Sequence, residues 1–513
     1  MADPRSGAAR KTASAPSEIA YVALDHYRAG DLRLAARIAL AGIAGGDTSP
    51  ELVDITAQTA IRTGERELLE RSVAARRPAR GEPKTWLRAA FDARHGDRQR
   101  AATELRALLA AAASPLREEL AYHLAVALWG ARDLDGAEAV VARHVDAAAG
   151  FARASLQQMT GWIEIERERY ALAGRHFADA LDSLDAWGQR DEWARARTMH
   201  ALSGIAVETL DVRALQHFAA VPDRAGAEAS ESLFFTLQNI AWLKMLDGDE
   251  PGALADLERA RAIAPSARLI AVAEVNRASY FRICGDAGAA RIYLQLAGDA
   301  LRGRRWADAS ADERMALLEY ALEAYQLEPA TAGPTLARYL SGARKRRNGP
   351  GSERDRRAQA TELTARGALE ASRKRAREAG HVLREALDLW TSMGFRYREA
   401  VTALLLDDVA PGEGARDAAR RATASAPKSW LRRDVERRSV RRSSGYQALS
   451  PAERRVMLAI CEGKTSKQIA ADFGRSFHTI RNQTLKVYST MGVRTRSALV
   501  AECARLGLLG PLP

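Results

Sequence analysis

The chain has 513 residues, a net charge of +12, 47% hydrophobic but only 6% aromatic residues, and three cysteines. No run of about 18 consecutive apolar residues occurs, so no membrane-spanning helix is expected. Cys284, Cys461 and Cys503 lie too far apart for a CxxC pair or a Cys/His metal spacing, which points to a reduced cytoplasmic protein with no metal or other cofactor.

Abundant alanine and arginine, with apolar residues at helical spacing, predict an all-α chain of several domains. Residues 1–16 contain Arg5, Arg10 and Lys11 but no apolar core segment, so they read as a flexible arm rather than a secretory signal. From 17 to 340 a short pattern recurs: an apolar helix, a tight polar turn, then an Ala-rich helix. The turns fall at Gly30-Asp31, Gly64-Glu65, Gly96-Asp97, Arg132-Asp133, Glu168-Arg169, Leu210-Asp211, Gly248-Asp249 and Gly285-Asp286. Their spacings are 34, 32, 36, 36, 42, 38 and 37 residues. Glycine suits the left-handed end of one helix, and the acid after it suits the start of the next. Small residues such as Ala35 and Ala39, spaced about Ile38, follow the turns. Large apolar residues such as Trp242, Leu243 and Leu246 precede them.

This pattern resembles tetratricopeptide-type repeats, in degenerate form. It implies an α-solenoid of TPR-like helix hairpins. Such stacks offer a concave surface, here a seat for a protein, peptide or small-molecule inducer. Residues 341–357, SGARKRRNGPGSERDRR, read as a charged linker. Residues 358–410 resume helical periodicity as one further hairpin, with Leu387, Trp390, Ala400 and Leu404 as its packing face. Residues 411–445 turn Arg- and Ser-rich and read as a tether, in part helical and able to touch phosphates.

The last segment, 446–513, holds four short amphipathic helices. Ser450, Pro451 and Glu453 form a capping box ahead of the first. Thr465 or Ser466 caps the second and Ser476 the third. In the third helix Ile480, Thr484, Val487 and Met491 recur at inward spacing. His478, Thr479, Arg481, Asn482 and Lys486 are left on the outer face. From Leu431 onward 16 Lys and Arg stand against 6 acids, so most of the net positive charge sits at this end, where it attracts a polyanion.

Leu449–Glu453, Glu462–Ala470, Ser476–Asn482 and Met491–Val500 together resemble the LuxR-type helix-turn-helix domain of bacterial transcription regulators. Ala452, Ser466, Gln483 and Thr484 depart from the family's usual residues, so no operator sequence carries over. The resemblance implies double-stranded DNA as partner. On side-chain chemistry, Arg481, Asn482, His478 and Lys486 are the candidates for base contacts. Thr465, Ser466, Lys467, Thr479, Arg494 and Arg496 are the candidates for phosphate contacts. The family's fourth helix pairs two subunits. Val500, Cys503 and Ala504 would do so here, giving a homodimer on DNA, with RNA polymerase as a further partner.

Glu462-Gly463-Lys464-Thr465 imitates the end of a phosphate loop but lacks the earlier glycine, where Leu458 stands. The nine histidines form no HExxH cluster, and no nucleophilic triad stands out. The chain therefore reads as a non-enzymatic, DNA-binding transcriptional regulator whose repeats sense a partner. The alternative is a repeat-type interaction scaffold whose basic end binds nucleic acid or protein without sequence preference.

Overall fold

The computed structural model describes residues 17–47, 49–75, 86–218, 221–223, 225–303, 311–340, 353–443, 445–506 and 508–509. Among these residues it holds 26 α-helices, short 3-10 turns and no strand. None of the helices is long and apolar enough to cross a membrane. The chain divides into two compact units, residues 1–205 with 217–236, and residues 206–216 with 237–513.

In the first unit each helix from Glu18–Ala29 to Tyr170–Trp187 packs on the next in sequence, and the leading helix of each hairpin also packs on the leading helix of the following one. That series runs Glu18–Ala29, Pro50–Thr63, Trp86–His95, Leu116–Gly130 and Gly150–Glu166. This neighbour-on-neighbour order is the signature of a helical-repeat stack. Its core is built from alanines and a few large residues, among them Trp86, Phe91, Leu105, Leu120 and Leu156. Gly161 faces the ring of Phe177, and a Cβ there would lie 2.8 Å from it.

The turns are built as the spacing predicts, with a twist in their residues. Gly30, Gly64, Gly248 and Gly285 take left-handed φ values of 81° to 91°. At the equivalent places Arg132, Glu168 and Leu210 adopt φ of 68°, 59° and 57°, so side-chain-bearing residues accept the same conformation. Gly96 is not among the positive-φ residues. Asp97, Asp133, Asp249 and Asp286 each accept a backbone N–H of the following helix. Asp31 instead receives the Ala227 amide at 2.8 Å.

The second unit has a leading-helix series of its own, Ala267–Ile283, Ala311–Leu327, Glu353–Ser372, Arg396–Val409 and Trp430–Ser443. Two expectations change. The helix Glu353–Ser372 begins inside the stretch read as a linker, and with Ala376–Met393 and Arg396–Val409 it makes three helices where one hairpin was expected. The Arg- and Ser-rich segment, read as a tether with some helix, packs as part of the unit instead. It folds as Glu413–Ala422 and Trp430–Ser443, with Ala419, Ala422, Ala426, Leu431 and Val435 buried against Ala400, Ala403 and Leu404. Arg416, fully buried, pairs with the equally buried Asp407 at 3.1 Å. The expected flexible arm, 1–16, and the linker residues 341–352 lie outside the described residues.

Candidate nucleic-acid interface

Four helices form the C-terminal bundle: Pro451–Cys461, Ser466–Asp472, Phe477–Thr490 and Arg496–Arg505. Val456, Met457, Ile460, Ile469, Ile480, Val487, Leu499 and Leu506 fill its core. The helices start on strong local signals. Ser450 Oγ accepts the Glu453 amide while the Glu453 carboxylate accepts the Ser450 amide at 2.7 Å. Thr465 and Gln468 repeat this reciprocal box on the second helix. Ser476 Oγ accepts the Thr479 amide at 3.1 Å, and Thr495 Oγ1 accepts that of Ala498. These caps leave the remaining first-turn amides of the 14-residue third helix beside exposed Ser476, Phe477 and His478, where an anion would be favoured.

Inward spacing holds on the third helix: Ile480 and Val487 are fully buried and Met491 nearly so. His478, Thr479, Arg481, Asn482 and Lys486 are all exposed. Asn482 Nδ2 lies 3.3 Å from His478 Nδ1, so the two polar side chains are pre-arranged as neighbours one helical turn apart. Arg481 projects from this face and forms no ion pair among the described residues. Arg475, in the turn before the helix, and Lys467 and Arg494 are likewise exposed and without an ion pair there. Arg475 was absent from the sequence-derived candidates. Its position one residue ahead of the Ser476 cap is the signal that points to it.

Other cations of the bundle already have work. Lys486 Nζ lies 3.2 Å from Glu453, tying the third helix to the capping box of the first. The Ser450 amide and hydroxyl, and then Lys486, hold the Glu453 carboxyl below the usual carboxylate range. Arg496 donates to the carbonyl of Ile460 and is half-buried, so it braces the fourth helix against the end of the first. Lys464 lies 2.9 Å from Asp472, and Arg505 pairs with Glu502. Thr465 is exposed but its hydroxyl is engaged with Gln468, and Ser466 is half-buried.

The pairing surface proposed from sequence needs one correction. Cys503 is fully buried in the bundle core, hydrogen-bonded to Cys461, and cannot face a second subunit. That contact, and then burial, raise the Cys503 thiol, while the same contact lowers that of Cys461 against the opposing effect of burial. Both thiols are free. Val500 is half-buried and Ala504 exposed, which leaves these two of the three residues on the outer side of the fourth helix. No group of His, Cys, Asp and Glu among the described residues could hold a metal ion.

Residues 447–502 match the family of bacterial regulatory proteins described as luxR family. The match covers the first three helices, both capping boxes and the start of the fourth helix, so this C-terminal domain is of that type. No curated protein matches the chain. Among solved structures, a chain from the crystal structure of the APC/C hetero-tetramer Cut9–Hcn1 aligns with 94% of this chain and 98% of its own length. That alignment has 12% identity and a TM-score of 0.28.

Proposed function

We propose that the protein is a sequence-specific, DNA-binding transcriptional regulator acting in the cytoplasm. The third bundle helix, Phe477–Thr490, enters the major groove. Arg481 and the His478–Asn482 pair read base edges, with Lys486 reaching the adjoining strand when it leaves Glu453. The amides and hydroxyls at Thr465, Ser466 and Thr479, with Lys467, Arg475 and Arg494, hold phosphates and set the register. Arg496 contributes by bracing the bundle. Two copies pair through the Val500 and Ala504 face of the fourth helix, and their symmetry matches a palindromic site. The repeat stack senses a protein or small-molecule partner, and RNA polymerase is the natural downstream contact.

One observation carries this reading. An exposed helix face of His478, Arg481, Asn482 and Lys486, with exposed Leu485 among them and an arginine that forms no ion pair among the described residues, stands on a capped bundle within the residues that match the luxR family. The test is competition between the gene's own upstream DNA and a scrambled duplex at physiological salt. A regulator prefers its own site by about 10³-fold or more. An interaction scaffold with a sticky basic end shows equal affinities that fall together as salt rises.

A further inference from the structure

The outer face of the third bundle helix is not uniformly polar. Leu485 lies on it, 58% exposed, the most exposed large apolar side chain among the bundle's described residues. At about 100° per residue it points away from Ile480 and Val487, which are fully buried. It stands one turn beyond Arg481 and Asn482 and one turn before Ser489, all of them exposed. Asn482 is itself beside His478, its Nδ2 3.3 Å from the ring Nδ1. One apolar end is therefore set among hydrogen-bonding side chains.

A single exposed leucine is ordinary on a protein surface. Its neighbours decide what can cover it. Nothing covers Leu485 without also covering Arg481 and Asn482, and these must then find hydrogen-bond partners or lose their water at a cost. An apolar patch on another protein meets the leucine and strands the guanidinium. The major groove offers both kinds of edge side by side. Guanine and adenine present N7, O6 and N6 to the polar side chains, and thymine presents its 5-methyl group.

We infer that Leu485 reads one thymine in each half-site by packing on that methyl group. This rests on the third helix being the one that enters the groove, and it adds what the site must contain there. Leu485 follows Arg481 by four residues, a rise of about 6 Å along the helix. Base pairs follow one another at about 3.4 Å along the duplex. The thymine therefore falls about two base pairs from the guanine that Arg481 contacts.

The test is anisotropy titration of the full chain on its own upstream site, with one thymine at a time replaced by deoxyuridine. Uracil pairs as thymine does and lacks only the methyl group. One thymine in each half-site should respond, with a loss of about 4-fold in affinity, the worth of one buried methyl-sized group. Leu485→Ala should lose about 4-fold on the natural site and bind the thymine and uracil duplexes alike. Leu485→Met keeps an apolar end and should keep the discrimination. Both variants should melt with the parent, because Leu485 is exposed. If no thymine responds to loss of its methyl, or if the response survives in Leu485→Ala, the inference is overturned while the regulator reading stands. Altered self-association of Leu485→Ala with no uracil effect puts the leucine in a protein interface and likewise overturns it. If the protein binds its own upstream DNA no better than a scrambled duplex, the regulator reading fails first and this inference falls with it.

Discussion

Leu431→Ala tests whether the Arg-rich segment before the DNA-binding bundle is part of the repeat stack. Leu431 is fully buried, packed in one cluster with Leu210, Leu246, Ala403 and Leu404. Truncation removes three carbons, worth about 0.8 kcal/mol each in lost burial. The cavity left in a packed site raises the total to about 3 kcal/mol. Trypsin reads this directly, because the segment offers Arg420, Arg421, Arg432 and Arg433 as cleavage points. When cleavage waits on local opening, its rate follows the opening free energy. The parent protein should resist cutting between 413 and 438, and the variant should be cut there about 100-fold faster. Rapid cleavage of the parent at those arginines, unchanged by Leu431→Ala, would refute the packing and restore the solvated tether.

Arg481→Ala should weaken operator binding by about 1–3 kcal/mol and relax preference at one base position, with thermal stability unchanged because the side chain is exposed and forms no ion pair among the described residues; anisotropy against single-base variants of the site checks this. Glu453 has a folded pKa below its ordinary value of 4.5, so its contribution is complete above that value and is lost as pH falls through the folded pKa. Urea midpoints of parent and Glu453→Gln between about pH 6 and about pH 3 should converge toward the acid end, the parent losing its advantage. Gly161→Ala should cost about 1–3 kcal/mol, since its Cβ would strike the immobile, buried ring of Phe177 at 2.8 Å; chemical denaturation measures it, and operator affinity of the folded protein should not move.

The repeat hairpins were legible because each turn writes its own local signal. A left-handed residue and an acid that caps the next helix sit side by side, as at Gly248-Asp249 and Gly285-Asp286. The bundle was legible for the same reason, through Ser450, Thr465, Ser476 and Thr495 at its helix starts. What composition hid was long-range. Residues 411–445 look solvated by their arginines, yet Arg416 is neutralised by Asp407 nine residues earlier, and Ala419, Ala422 and Val435 find their partners in an earlier helix. In the site, helical spacing correctly put Arg481 and Asn482 outside. It could not show that Lys486 meets Glu453, that Arg496 meets the Ile460 carbonyl, or that Cys503 turns inward to Cys461. Each of those partners lies more than 30 residues away in the chain.

Guanine N7 faces only the major groove, so methylation interference on the protein's own upstream DNA asks most directly where the third bundle helix sits. The account predicts two short tracts of guanines whose N7 methylation abolishes binding, their centres about one helical turn apart, with one guanine in each losing its effect in Arg481→Ala. Binding indifferent to N7 methylation, or equal on scrambled duplex, would contradict it.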